Sequence, residues 1–158
     1  MRLNKDVGLN DHIVLVGLGR LGRTIAQTVR SASDRPPALV IVDSDPTNPH
    51  IQELRDLGIP VIIGDGQSME VLAQACVADA RAVIAVTRSD TVNLSSVLLS
   101  VNAARREGRR IRAIAHLYDI KIDRARDALA TALPQADPDG PAPVWFNSYE
   151  MAAEEVRV

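Results

Sequence analysis

Three glycines, Gly17, Gly19 and Gly22, lie between an apolar run and a segment of helical periodicity near the start of the chain. In such a G-x-G-x-x-G pattern the first glycine permits a tight turn, the second leaves room for a phosphate, and the third lets a helix pack closely on a strand. Free amides at the helix N-terminus add a partial positive charge that faces the same phosphate. The spacing therefore predicts a phosphate-binding loop over residues 17–22. The other predicted loop contacts are Leu18, Arg20 and Leu21.

An acidic residue, Asp43, ends the next apolar run, about twenty positions beyond Gly22. A carboxylate at this position accepts hydrogen bonds from both hydroxyls of an adenosine ribose. Because a 2′-phosphate would repel Asp43 and no arginine follows immediately, the pattern favours NAD(H) over NADP. Ser44 is predicted to border the same site, whereas Asp45 stands before a proline and is interpreted as a turn residue.

Further polar residues follow the third and fourth apolar runs. Asp65 lies between Gly64 and Gly66, and this loop is predicted to contact the adenine end of a nucleotide, with a role in the turn alone as the alternative. Thr87 and Asn93 are predicted to frame the other side of the crevice, or else to form local hydrogen bonds. All of these residues belong to one carboxyl edge of a sheet if the runs are parallel strands.

Short β-branched runs alternate with helix-period segments, which is typical of βαβ units. We therefore expect the α/β fold class, a Rossmann-like doubly wound parallel sheet with strand order 3-2-1-4-5-6. The predicted strands are 12–16, 38–43, 60–64, 82–87, 112–117 and, with a weaker pattern, 143–147. The first predicted helix follows the glycine loop, and the second starts at the Asp45-Pro46 and Asn48-Pro49 pairs. Three more begin at about residues 68, 90 and 120, with Asp90 as the expected N-cap of the fourth.

The composition narrows the class of protein. With 158 residues and 46% apolar residues, the chain is expected to form one domain over 1–158. A net charge of −2 without a basic stripe argues against nucleic acid as a partner. The single cysteine, Cys76, is interpreted as a core residue and is typical of a reducing compartment. No signal-peptide core or long apolar run is present, so we expect a cytoplasmic location and no direct membrane insertion.

Five segments taken in order resemble one family, the RCK or TrkA-N regulators of potassium conductance. They are VLVGLGRLGRTIA, VIVDSDP, VIIGDG, AVIAVTRSDTVNL and AIAHLYD, and they cover about residues 12–123. The resemblance implies an N-lobe that binds NAD(H) or an adenine nucleotide (ATP, ADP or AMP). It also implies a cytoplasmic position beside a membrane potassium channel or transporter subunit, and self-association into a homodimer or larger ring.

The resemblance also assigns roles to individual residues. The three glycines match the phosphate loop, Asp43 the ribose-binding acid and Asp65 the acid near the adenine. Arg20 matches an arginine that reaches the terminal phosphate in some members. The sequence departs from the family pattern at three places. His116 replaces a common arginine after strand 5, the connection before the last strand is long, and the family's C-lobe is absent.

Two other functions fit the same pattern. The chain could be the nucleotide-binding half of an NAD-dependent oxidoreductase, but it has no Tyr-x-x-x-Lys pair and no second domain within its length, so we expect no enzymatic activity. It could also be a dimerisation module whose pocket no longer binds a ligand. Apolar residues on more than one face of the fourth helix, including Leu98 and Leu99, favour self-association through this helix or the C-terminal one.

Overall fold

The computed structural model describes residues 9–119 and 144–146 of the chain. Within them the strands are β1 (Ile13–Val16), β2 (Leu39–Asp43), β3 (Val61–Ile63), β4 (Ala82–Ala85), β5 (Arg112–His116) and β6 (Val144–Phe146). The α-helices are α1 (Arg20–Ser31), α2 (His50–Asp56), α3 (Met69–Gln74) and α4 (Asp90–Arg106). A turn of 3-10 helix, Val77–Asp79, precedes β4.

The strands form one parallel sheet with the order β3-β2-β1-β4-β5-β6, which confirms the predicted fold class and strand order. Val16 at the end of β1 pairs with Val42 of β2 and with Ala85 of β4, so these three strands end within one residue of each other. The chain runs outward in one direction from β1 to β3 and in the other from β4 to β6. The strand order therefore reverses between β1 and β4, where doubly wound sheets open a ligand crevice.

The sheet is buried on both faces. Successive residues Val14 and Leu15 of β1 are both 0% exposed yet pack in opposite layers, since neighbouring side chains of a strand point to opposite faces. The layer of Leu15 contains residues of α1 and α2, and the layer of Val14 contains residues of α3 and α4. Apolar runs without alternation are what such a sheet requires, and they are the pattern in the sequence.

Helix α4 differs from the prediction at its N-terminus. Its N-cap is Ser89, whose side chain accepts a hydrogen bond from the Val92 amide, and Asp90 is the first helical residue. The Asp90 carboxylate instead accepts the amides of Tyr118 at 2.8 Å and Asp119 at 2.9 Å. Asp90 therefore fixes the segment that leaves β5, a role that depends on contacts distant in sequence.

The prediction for Cys76 was also wrong in part. This residue is half-buried and takes a left-handed backbone conformation, φ 53°, in the turn after α3, so it lies at the margin of the core. The predicted fifth helix, the connection before β6 and the C-terminal helical pattern lie outside the described residues. Across 9–119 and 144–146, no helix combines the length and apolarity needed to cross a membrane.

Candidate functional site

The loop from β1 to α1 depends on two of its glycines for its shape. Gly17 has a φ of +101°, and a Cβ atom there would lie 2.9 Å from the Thr87 backbone nitrogen. At Gly22 a Cβ atom would lie 2.0 Å from the Gly17 carbonyl oxygen. Gly19 is different, because a Cβ atom there meets no atom within 4 Å. The first and third glycines thus serve the turn and the packing of α1, and the second leaves open space in front of the loop.

The partial positive charge at the N-terminus of α1 is not neutralised by any side chain of the helix itself. Its N-cap is Gly19, no side chain caps it, and its first turn contains no acidic residue. By contrast, Ser68 caps α3 and Ser89 caps α4, and both helices have an acidic residue in the first turn. The partial positive charge of α1 is therefore left to act on the space in front of the loop, as a phosphate site requires.

Asp43 connects the loop to the end of β2. Its Oδ2 accepts the Leu18 amide at 2.6 Å, and its Oδ1 accepts the Asp45 amide at 2.8 Å. Because each carboxylate oxygen accepts two hydrogen bonds, both oxygens keep capacity for the hydroxyls of a ribose. The Asn48 side-chain Nδ2 donates to the Leu18 carbonyl at 3.0 Å, so the backbone of Leu18 is held on both sides.

The neighbouring Asp45 has the turn geometry that was predicted for it. Its Oδ1 accepts the Thr47 amide at 2.8 Å and the Thr47 hydroxyl at 2.6 Å. These two hydrogen bonds, that from the hydroxyl first, hold the pKa of Asp45 below its ordinary value. Asp45 therefore shapes the β2–α2 connection and adds negative charge to the same side of the crevice.

The loop after β3 is fixed against the central strands. The Asp65 Oδ1 accepts the Gln67 amide at 2.9 Å, which closes a local turn. A Cβ atom on Gly66 would lie 2.5 Å from Val16 Cγ1, and the Ser96 hydroxyl donates to the Gly66 carbonyl at 2.9 Å. The loop thus lies tightly between β1 and α4, with the Asp65 side chain exposed at its tip.

Asn93 lies beneath the crevice. It is 0% exposed, and its Oδ1 accepts the Thr87 amide at 2.8 Å and the Thr87 hydroxyl at 2.7 Å. Its Nδ2 donates to the carbonyls of Thr87 at 3.0 Å and His116 at 2.8 Å. The local hydrogen-bonding role therefore describes Asn93 better than the predicted ligand contact, and its effect is to position Thr87 at the end of β4.

A single cleft of about 1130 Å³ joins these features at the carboxyl edge of the sheet. This volume is slightly above the range of about 300–1,000 Å³ that is usual for small-molecule sites. The cleft brings together all the predicted site residues except Gly22 and Asn93. Those that line it are Gly17, Leu18, Gly19, Arg20, Leu21, Asp43, Ser44, Gly64, Asp65, Gly66 and Thr87.

Some lining residues were not predicted as contacts, among them Gln67, Arg88 and Tyr118. His116, in which the sequence left anion contact in doubt, also borders the cleft but is 1% exposed. Its ring packs edge to face on Tyr118 with centroids 4.2 Å apart. Burial lowers the pKa of His116, while the charge of Asp90 acts in the opposite direction. A neutral, packed ring is a structural histidine rather than an anion-binding one.

A catalytic metal centre has no support in the described part of the chain. No group of three or more His, Cys, Asp or Glu residues there is arranged to hold a metal ion. The cleft instead offers backbone amides, carboxylates and guanidinium groups, the donor and acceptor set that suits a nucleotide.

The parallel sheet, the glycine loop and the acid at the end of β2 define a Rossmann-like domain. Residues 13–132 match the model of the TrkA-N domain, and the chain belongs to this family. The match confirms the family that the sequence motifs predicted. Potassium channel protein 1 of Methanocaldococcus jannaschii is 33% identical over 86 residues, which cover 54% of this chain and 25% of that protein. The chain thus corresponds to about a quarter of the length of this relative.

Solved structures share the fold. The TrkA-N domain of the inner membrane protein ybaL from Escherichia coli superposes with a TM-score of 0.69 at 18% identity, over 94% of this chain and 95% of that one. The GsuK channel bound to NAD gives a TM-score of 0.57 at 22% identity, over 75% of this chain and 20% of that one. The structure of GsuK bound to ADP gives a TM-score of 0.54 at 23% identity, over 85% of this chain and 31% of that one.

Proposed function

We propose that this chain is a regulatory domain of a potassium channel or potassium uptake system and that it binds NAD(H) or an adenine nucleotide in the cleft. The observation that carries this proposal is the hydrogen bond from the Leu18 amide to the Asp43 carboxylate at 2.6 Å. It joins the glycine loop, which suits a phosphate, to the acid that suits a ribose, so that one ligand reaches both.

The proposed pose follows the order of the strands. The phosphates lie over residues 17–22, where the α1 amides and the open space at Gly19 receive them. The ribose hydroxyls donate to Asp43, and the adenine lies toward Gly64, Asp65 and Gly66 at the β3 side. When bound, the nucleotide supplies its negative charge and its shape to the cleft. The residues of this chain bind and orient it, and no reaction is required of them.

The relatives support the regulatory part of the proposal. One is a potassium channel protein, and the GsuK channel has been observed with NAD and with ADP. A ligand that interacts differently with two arrangements of an assembly shifts their populations, which is how a binding domain controls a channel. In the proposed assembly this domain would lie on the cytoplasmic side of a membrane potassium channel or transporter subunit.

Self-association is part of the same proposal. Leu98 and Leu99 of α4 are half-buried within the described chain, so each offers apolar surface to another subunit. Removing apolar surface from water stabilises association by about 25 cal/mol per Å², before the loss of rigid-body freedom is subtracted. A homodimer or larger ring would give the bound nucleotide an interface on which to act.

Calorimetry with NAD, NADH, ATP, ADP and AMP tests the binding proposal. Replacing Asp43 with Ala removes two charge-assisted hydrogen bonds to the ribose, each worth about 1.5–3 kcal/mol, so affinity should fall at least tenfold. Asp56→Ala is the matched control, since this exposed carboxylate at the end of α2 pairs with Gln52 outside the cleft. Circular dichroism checks that both variants remain folded. Equal affinity of Asp43→Ala and the unchanged protein would refute the ribose contact.

The same ligands distinguish the other two functions. A nucleotide-binding half of an oxidoreductase would oxidise NADH in the presence of a panel of carbonyl substrates, whereas the regulatory domain binds NADH without turnover. A dimerisation module would bind none of the five nucleotides. Binding without turnover is the result that we expect.

A further inference from the structure

The charged residues of the cleft are separated along the carboxyl edge of the sheet. The acids lie on one side of β1, where Asp43 ends β2, Asp45 follows β2 and Asp65 follows β3. Among the described cleft residues two carry a full positive charge, Arg20 at the start of α1 and Arg88 after β4. Since β4 lies on the opposite side of β1 from β2, the order along the edge is acids, glycine loop, Arg88. A ligand that is sugar at one end and anionic at the other matches this order.

The backbone around Arg88 is fixed although its side chain is exposed. On one side the Thr87 amide is held by Asn93, and on the other the Ser89 amide donates to the Thr87 hydroxyl at 3.2 Å. Ser89 also caps α4. Neither the Arg88 nor the Arg20 guanidinium makes a hydrogen bond or ion pair with residues of the described part. The turn thus fixes the backbone from which the unpaired Arg88 side chain extends at the edge of the cleft.

The spacing of the strands determines how far a ligand must extend along the sheet edge to reach Arg88 from Asp43. Neighbouring parallel strands lie about 4.8 Å apart, so the end of β4 is one strand beyond the glycine loop and two beyond Asp43. A nucleotide whose ribose is on Asp43 and whose first phosphate is on the loop extends its next phosphate toward β4. Of the two cationic residues of the cleft, Arg88 is the one that lies on the β4 side of the glycine loop.

We propose that Arg88 binds the second phosphate of the nucleotide, the one beyond the phosphate on the glycine loop. This inference rests on the proposed function and adds a ligand class to it, nucleotides with at least two phosphates. The planar guanidinium group presents paired donors that match phosphate oxygens. ADP, ATP and NAD share the required chemistry, and AMP lacks it.

Titration calorimetry of Arg88→Ala with AMP and ADP tests the proposal. ADP should bind about tenfold more weakly or worse, because a charge-assisted hydrogen bond is lost, whereas AMP should change by less than about twofold. Arg30→Ala is the control for net charge, since Arg30 is exposed in the last turn of α1 and does not line the cleft. Arg88→Lys keeps the charge without the planar fork and should recover part of the ADP affinity.

Titrations with ATP and NAD identify the source of the phosphate. A loss for ADP, ATP and NAD alike supports a contact with the second phosphate in any of them. A loss for ADP and ATP alone supports a contact that needs the greater charge of a terminal phosphate. Equal losses for AMP and ADP, or an unchanged ADP affinity in a protein that binds ADP, would overturn the role of Arg88 and leave the proposed function intact. Absence of nucleotide binding by the unchanged protein would overturn both.

Discussion

Replacement by alanine should lower the stability of the fold at Gly22 and the affinity for a nucleotide at Gly19, although both glycines belong to the same loop. At Gly22 the added Cβ atom would lie 2.0 Å from the Gly17 carbonyl oxygen, a backbone atom that cannot rotate away. Overpacking of this kind costs about 1–3 kcal/mol. Exchange of glycine for alanine in a helix returns up to about 1 kcal/mol through helix propensity. Because the contact is with backbone, we expect the upper end of the cost and a net loss of about 2 kcal/mol in the free energy of unfolding.

At Gly19 the same substitution meets no protein atom within 4 Å, and the backbone there, with φ −77° and ψ −167°, is open to alanine. The free energy of unfolding should change by less than about 1 kcal/mol, the size of an N-cap effect. The methyl group would instead occupy the space proposed for a phosphate, so nucleotide affinity should fall at least about tenfold.

Thermal unfolding and calorimetry on both variants separate the two effects. For a chain of this size, about 2 kcal/mol lowers Tm by about 4–8 °C, so Gly22→Ala should melt clearly below the unchanged protein and Gly19→Ala close to it. An unchanged Tm for Gly22→Ala would refute the packing argument. Full nucleotide affinity in Gly19→Ala would refute the phosphate site in front of the loop.

Two further predictions concern pH and assembly. Because burial lowers the pKa of His116 from its ordinary 6.5, the unfolded chain binds the proton first as the pH falls, and the free energy of unfolding should decline below about pH 6.5. Urea titrations between roughly pH 7.5 and 5.5 should show a smaller decline for His116→Gln, and equal declines would contradict the role of this residue. Light scattering over about a tenfold dilution should show a dimer or larger species that dissociates by mass action, and a monomer at every concentration would refute self-association.

The strands could be predicted from the sequence because a sheet buried on both faces needs uninterrupted apolar runs. Their limits could not be predicted in full. The run 82–87 was expected to be strand throughout, but β4 ends at Ala85. The Asn93 side chain accepts the Thr87 amide and donates to the Thr87 carbonyl, so these backbone groups do not pair with a neighbouring strand. A contact between a strand end and a helix interior leaves no mark in local periodicity.

The site was predictable to the extent that its chemistry lies in single segments. The glycine loop and Asp43 have a fixed spacing, and the structure brings them within hydrogen-bond distance. Asp90 was the expected N-cap of α4, but the preceding Ser89, which caps the helix, is an equally suitable residue type. The Asp90 carboxylate instead accepts the amides of Tyr118 and Asp119, which lie 28 and 29 residues away in sequence. Tyr118 was not predicted to line the cleft for the same reason, since its amide is held by Asp90. Arg88 follows Thr87 directly and could have been predicted from its place just beyond β4.

Under the proposed function, the two hydrogen bonds that hold the backbone of Leu18 would affect how quickly the domain follows a changing nucleotide pool. Asp43 and Asn48 fix the loop with bonds formed when the chain folds, so the conformational entropy of the loop is already lost before a ligand arrives. Association at a preorganised loop needs no slow rearrangement, and the ligand's residence time then depends mainly on the contacts that must break. A domain built in this way exchanges ligands on the timescale of their dissociation and tracks the ratio of competing nucleotides rather than storing a past state.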